Sequence, residues 1–273
     1  MPSMRKTVMA ELPQAETLDA AALLRDYRDG KVDLVCVLGP TASGKTRFAV
    51  ELARSFGGAE IISADSRQVY RGMDIGTGKD LCEYGEIPYH LIDIADPGDG
   101  YNVYRFRDDF AAAYTDIRSR GAVPILCGGT GLYINAVTAG YDFASSKPLS
   151  AVGQAHASEG DGVIALLPKS TFFIGTLVSR EVRNSRIDRR LDARLQEGMV
   201  GEIQALLDGG VSPATLIGYG LEYKFVTLYL QGELSYEQMR EQLATAIHRF
   251  AKRQMTWFRG MERSGVKIHW VNP

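Results

Sequence analysis

The stretch Val32-Asp-Leu-Val-Cys-Val-Leu38-Gly39-Pro-Thr-Ala-Ser-Gly44-Lys45-Thr46 runs from a β-rich apolar segment, through a glycine-bounded loop, into the start of a helix. Gly39 to Thr46 satisfies G-x4-G-K-[ST], and a strand before it with a helix behind it is the context this phosphate-binding pattern requires. The glycines let backbone N–H groups close around phosphate oxygens, and the helix N-terminus adds partial positive charge. Gly39, Thr41, Ala42, Ser43, Gly44, Lys45 and Thr46 are therefore expected to cradle phosphate groups. Lys45 reaches the outer phosphate and the Thr46 hydroxyl ligates Mg²⁺. The bland alternative is a Gly-rich connector without a ligand.

Outward from this loop the pattern alternates. A helix is expected over 45–56, stopped by Gly57-Gly58, then a short strand over 60–63. A helix over 104–120 and a strand over 122–127, ending in Gly128-Gly129, complete a series that implies a parallel α/β sheet. After a strand over 171–178 the chain reads as helices at 180–196, 198–207, 221–230 and 235–259, with a last strand at 268–271. Ser235 with Gln238 fits a capping box. The expected fold is a P-loop NTPase-like parallel sheet flanked by helices, with a helical C-terminal part. Its expected divisions are an N-terminal arm at 1–30 (with a short helix over 16–27), an α/β core at 31–143, a reduced insertion at 144–170 and the rest of the core at 171–273. The 144–170 stretch is small, polar and Gly-rich.

The 273 residues carry 31 Lys and Arg against 33 Asp and Glu, which excludes a global polyanion-binding charge but not a local basic patch. Three scattered cysteines, Cys36, Cys82 and Cys127, make neither a disulfide framework nor a zinc spacing, and four histidines leave little for a metal site. No membrane-length apolar run and no signal-peptide core is visible. A cytoplasmic monomer with no membrane or DNA partner is the default expectation.

A phosphate loop does not name a reaction. An ATP-using enzyme would add an apolar strand ending in Asp, for which Leu91-Ile-Asp93 is the nearest candidate. Residues just past a strand's carboxyl end face the ligand crevice, so Asp65, after the strand at 60–63, faces whatever lies beyond the phosphates. GPTASGKT at 39–46, ISADSRQVYRGMDIGTGKD at 62–80, GGTGLYI at 128–134 and AKRQMTWFR at 251–259 together resemble the tRNA dimethylallyltransferase (IPP transferase) family over 34–141 and 173–270.

That resemblance implies transfer of a dimethylallyl group from dimethylallyl diphosphate to the exocyclic N6 of the adenosine 3′ of the anticodon, with Mg²⁺ as cofactor and the tRNA anticodon stem-loop as partner. It implies Asp65 as the carboxylate that takes the amino proton, with Lys45 and Thr130 completing the catalytic set. It implies tRNA contacts at Asp65, Ser66, Arg67, Gln68, Thr130, Lys252, Arg253 and Trp257, and diphosphate contacts at Arg186 and Arg190. The residues agree independently. Arg183, Arg186, Arg190 and Arg194 share one face of the helix at 180–196. A solvated face paired with Glu181, Asp188, Asp192 and Glu197 is the competing reading. Residues 245–263 hold Arg249, Lys252, Arg253, Arg259 and Arg263 against Glu262 alone, which suits an RNA backbone, with Phe250, Met255 and Phe258 expected in the core.

Two features depart from the family pattern. The helical insertion that helps grip the anticodon stem is reduced to 144–170, and Gly220 stands where a basic or amide residue is usual. Adenine-nucleotide prenylation and a P-loop phosphotransferase therefore stand as alternative readings.

Overall fold

The computed structural model describes residues 13–138, 141–142, 147–148 and 167–273; most of the expected insertion lies outside them. Among the described residues one six-stranded sheet runs β3-β2-β4-β1-β7-β8. Its strands are β1 (Leu34–Leu38), β2 (Ala59–Ala64), β3 (Tyr89–His90), β4 (Val123–Gly128), β7 (Thr171–Thr176) and β8 (Ile268–Val271), and every pairing is parallel. Two further short strands, β5 (Tyr141–Asp142) and β6 (Lys147–Pro148), pair antiparallel with each other.

Both faces of the sheet are covered, so the strands read as continuous apolar runs. Leu34, Cys36 and Leu38 of β1 point into one core and Val35 and Val37 into the other. On the second side lie α1 (Ala20–Arg28) and α2 (Lys45–Phe56), through Leu23, Ala49, Val50 and Phe56. The first side takes α3 (Val103–Ser119), α4 (Gly131–Thr138), α5 (Arg180–Gln196), α6 (Met199–Asp208), α8 (Leu221–Leu230) and α9 (Tyr236–Arg263). The helix expected in the N-terminal arm exists, shifted to Ala20–Arg28, and buries Leu23 against α2. The capping box of Ser235 and Gln238 opens α9, which continues four residues past its expected end to Arg263.

The short helix α7 (Pro213–Tyr219) was not expected, because seven residues carry too little periodicity to read. Ser212 caps it and Gly220, at φ 75°, breaks it from α8.

Strand order is what builds the site. β4 lies between β2 and β1, and its Gly128 is level with Ala64 on one side and Leu38 on the other. The next residues, Asp65, Gly129 and Gly39, therefore leave the sheet side by side at the carboxyl edge. The loop after β2 is held from the first side of the sheet. The Glu202 carboxylate on α6 accepts the backbone N–H groups of Asp74, Ile75 and Gly76 at 2.8, 2.6 and 3.0 Å, and the Tyr223 hydroxyl at 2.8 Å. Buried Lys79 closes the same loop by donating to the Tyr70 carbonyl at 2.5 Å and to Asp74 at 2.8 Å, and by pairing with Asp93.

Replacing Glu202 with Ala leaves three backbone donors without their acceptor. We expect a loss of about 2–4 kcal/mol in urea unfolding, together with weaker binding of any ligand that touches the loop at 74–80.

Candidate functional site

A cavity of about 380 Å³ opens at this carboxyl edge. Thr41, Ala42, Gly44, Lys45 and Thr46 line it from the phosphate loop, Asp65, Arg67 and Gln68 from the turn after β2, and Arg186, Arg190 and Arg194 from α5. The phosphate loop is locked at its base, where the buried Ser43 hydroxyl lies 2.6 Å from that of Thr176 on β7. Burial pulls the Lys45 ammonium below the ordinary lysine value, and the Arg190 charge adds to that. A bound polyanion is the partner that offsets both effects. Burial also pushes the Cys127 thiol under Lys45 up to about 12, so this cysteine is present as a neutral thiol.

Asp65 accepts the backbone N–H of Arg67 at 3.0 Å through Oδ1, which fixes the carboxylate at the cavity wall. Thr130 stands behind it. Its hydroxyl oxygen accepts the Ser66 N–H at 3.1 Å and its own N–H donates to the Ala64 carbonyl at 3.2 Å. Thr130 thus ties the turn after β4 to the turn that carries Asp65.

The residues expected around RNA divide into two groups. Lys252 and Arg253 are exposed on α9, and Trp257 is 40% exposed. The Trp257 ring lies so close to Gly131 that a Cβ there would meet its Cδ1 at 2.2 Å. Arg67 and Gln68, by contrast, are engaged inside the protein. The Arg67 guanidinium donates to Glu222 at 2.5 Å, with side chains only 16% and 14% exposed. Gln68 accepts from the Ser63 hydroxyl at 3.1 Å and donates to the Gly78 carbonyl at 3.3 Å.

Two expectations are corrected. Asp93 pairs with Lys79 and is absent from the cavity lining, so Leu91-Ile-Asp93 does not supply a magnesium acid to the phosphate loop. Phe250 is half-buried and lines the cavity instead of the core, whereas Met255 and Phe258 are core residues as expected.

Sequence reasoning missed Gln254, which is only 7% exposed. Its Oε1 accepts the Thr41 N–H of the phosphate loop at 2.8 Å and its Nε2 donates to the Gly129 carbonyl at 2.9 Å. One carboxamide on α9 thereby fastens two turns that are adjacent in space and far apart in sequence. A polar residue among Ala251, Met255 and Phe258 on a buried helical face was the available signal.

A phosphate loop after β1, a carboxylate after β2 and arginines from a covering helix define a P-loop α/β protein built to take a phosphorylated ligand. The chain belongs to the IPP transferase family. Residues 68–167 and 143–261 match the family described as IPP transferase, and 32–84 match isopentenyl transferase. The tRNA dimethylallyltransferase 1 of Parabacteroides distasonis is 48% identical over 284 residues, covering 88% of this chain and 92% of that protein. The full-length tRNA isopentenylpyrophosphate transferase of Bacillus halodurans superposes with a TM-score of 0.73 at 34% identity, covering 88% of this chain and 89% of its own. The tRNA delta(2)-isopentenylpyrophosphate transferase of Staphylococcus epidermidis gives 0.72 at 31% identity, covering 88% of this chain and 92% of its own. The alignment with the Parabacteroides protein is longer than the 273 residues of this chain, so that relative carries a stretch with no counterpart here.

Truncating Gln254 to Ala strips a buried donor and a buried acceptor of their partners at once. We expect a loss of about 2–3 kcal/mol in urea unfolding and a higher KM for the phosphorylated substrate.

Proposed function

We propose that this enzyme transfers the dimethylallyl group of dimethylallyl diphosphate to the exocyclic N6 of the adenosine 3′ of the anticodon in tRNA, releasing diphosphate. The observation that carries the reading is the opening of Asp65 and the phosphate loop into one cavity. The loop binds the donor's diphosphate through backbone N–H groups and Lys45. As the allylic C–O bond breaks, its electron pair passes to the diphosphate, and Lys45, Arg186 and Arg190 are placed to stabilise that charge. N6 bonds to the allylic carbon and gives up a proton to Asp65, whose Oδ1 is already oriented by the Arg67 N–H. The adenine must leave its stack to reach Asp65, so extrusion of the base precedes transfer. Lys252, Arg253 and Trp257 offer the exposed cationic and aromatic surface for the RNA.

The donor set suits Mg²⁺ arriving with the substrate. The Thr46 hydroxyl is at the cavity wall, and magnesium takes one or two protein oxygens beside phosphate and water. Among the described residues no cluster of three or more His, Cys, Asp or Glu could hold a metal alone. Once bound, the ion would share the negative charge that develops on the diphosphate.

No helix among the described residues is long and apolar enough to cross a membrane. The three cysteines are free, which fits the cytoplasmic setting we assign, with the chain working as a monomer. The stretch that the Parabacteroides relative has and this chain lacks favours one second reading, prenylation of a free adenine nucleotide.

Incubation with labelled donor, Mg²⁺ and either an anticodon stem-loop or AMP separates the two. Label in the RNA is expected, and label in AMP alone would reject the tRNA reading. Asp65→Ala should lower transfer by about a thousandfold or more, with diphosphate affinity by calorimetry kept within about threefold; unchanged turnover would remove Asp65 from its role.

A further inference from the structure

The cationic side of the cavity already holds an anion of its own. Asp80 closes the loop that follows β2, and its two carboxylate oxygens are divided between two arginines of α5. Oδ1 pairs with Arg194, and Oδ2 lies 3.5 Å from Nη2 of Arg190. Arg190 and Arg194 are four residues apart and project from one face of the helix. The same Nη2 of Arg190 donates to the Gly78 carbonyl at 3.2 Å. Gly78 has φ 65°, and any Cβ there would lie 1.6 Å from that nitrogen, so the guanidinium rests directly on the loop backbone. Arg186, the third arginine of the face, lies over Gly44 of the phosphate loop. Glu83 stands beside Asp80, its carboxyl pushed up by burial and by the Asp80 charge. All of these residues line the one cavity.

A carboxylate shared by two guanidinium groups offers them the arrangement that a phosphate would offer. Two arginines on the wall of a partly closed cavity are costly to leave uncompensated, and Asp80 provides that compensation to both, with Glu197 adding a second pair to Arg194 at 2.8 Å. A diphosphate entering between Lys45 and α5 meets Asp80 as a like charge competing for the same donors.

We infer that Asp80 is a displaceable internal counter-anion. It holds Arg190 and Arg194 in the free enzyme, hands them to the donor's diphosphate on binding, and takes them back when diphosphate leaves. The inference rests on the transferase reading above and adds a residue that sets how tightly the product is held. Its carboxylate opposes diphosphate binding and speeds release, as expected for a fixed like charge in a focusing cavity.

The test is calorimetric titration of inorganic diphosphate with Mg²⁺ into the full chain, comparing wild type with Asp80→Asn and Asp80→Glu. Asp80→Asn should bind diphosphate about tenfold more tightly, and Asp80→Glu, which keeps the charge, should stay within about twofold of wild type. Under turnover Asp80→Asn should show a lower KM for the donor and a lower kcat, with a burst of prenylated RNA in the first turnover as product release becomes limiting. A purely structural latch predicts the reverse: weaker diphosphate binding in Asp80→Asn, with a raised KM and no burst.

Urea midpoints of the three proteins are read alongside. A lowered midpoint with tighter diphosphate still supports the exchange. Diphosphate binding that is unchanged or weaker in Asp80→Asn, against a wild type that binds it, overturns the exchange alone. A wild type that takes up no diphosphate overturns the transferase reading with it.

Discussion

The carboxamide of Gln254 is the tie on which the site depends. Parallel strands bring Gly39, Gly129 and Asp65 to one edge of the sheet, but a sheet edge by itself does not fix loop conformation. Gln254 fixes two of the three loops by satisfying one backbone donor and one backbone acceptor from a single buried group. Because it belongs to α9, the helix that exposes Lys252, Arg253 and Trp257 is covalently continuous with the wall of the cavity. Thr130 extends the tie to the turn that carries Asp65. Asp65, the phosphate loop and the helix that carries Lys252, Arg253 and Trp257 are thus held in one hydrogen-bonded frame.

Charge is handled in the same economical way. The cavity holds several cations, and most of them are engaged: Arg67 by Glu222, and Arg190 and Arg194 by Asp80. Burial draws the Lys45 ammonium below the usual range. Such a site is poised for a polyanion without being left as an unrelieved positive hole. A near-neutral chain can therefore line its cavity with seven cationic side chains against five carboxylates.

The parts of this arrangement that were legible in the amino-acid sequence are those encoded locally. β1 and β4 follow from short apolar runs stopped by glycine, β2 from an apolar run that starts after Gly57-Gly58, and the phosphate loop from one contiguous motif. The arginines of α5 follow from helical spacing, and Asp65 from its position just after a strand. What was not legible depends on contacts across long stretches of chain. Strand order placed β4 between β1 and β2, and nothing in the local pattern of those segments specifies it. Gln254 meets Thr41, Glu222 meets Arg67 and Asp80 meets Arg194 across more than one hundred residues each. The family resemblance placed Arg67 and Gln68 among the tRNA contacts, as part of the stretch that follows Asp65. Their bonds to Glu222, Ser63 and Gly78 show that part of that motif serves to shape the loop.

The central claim is that one cavity brings an adenine amino group, a prenyl diphosphate and Asp65 together. A crystal structure of the chain with an unreactive donor analogue and an anticodon stem-loop tests it directly. The account predicts the extruded adenine with its N6 within about 3 Å of an Asp65 oxygen and the diphosphate on the 39–46 loop. A diphosphate on that loop with the adenine held away from Asp65, or left stacked in the RNA, would contradict it.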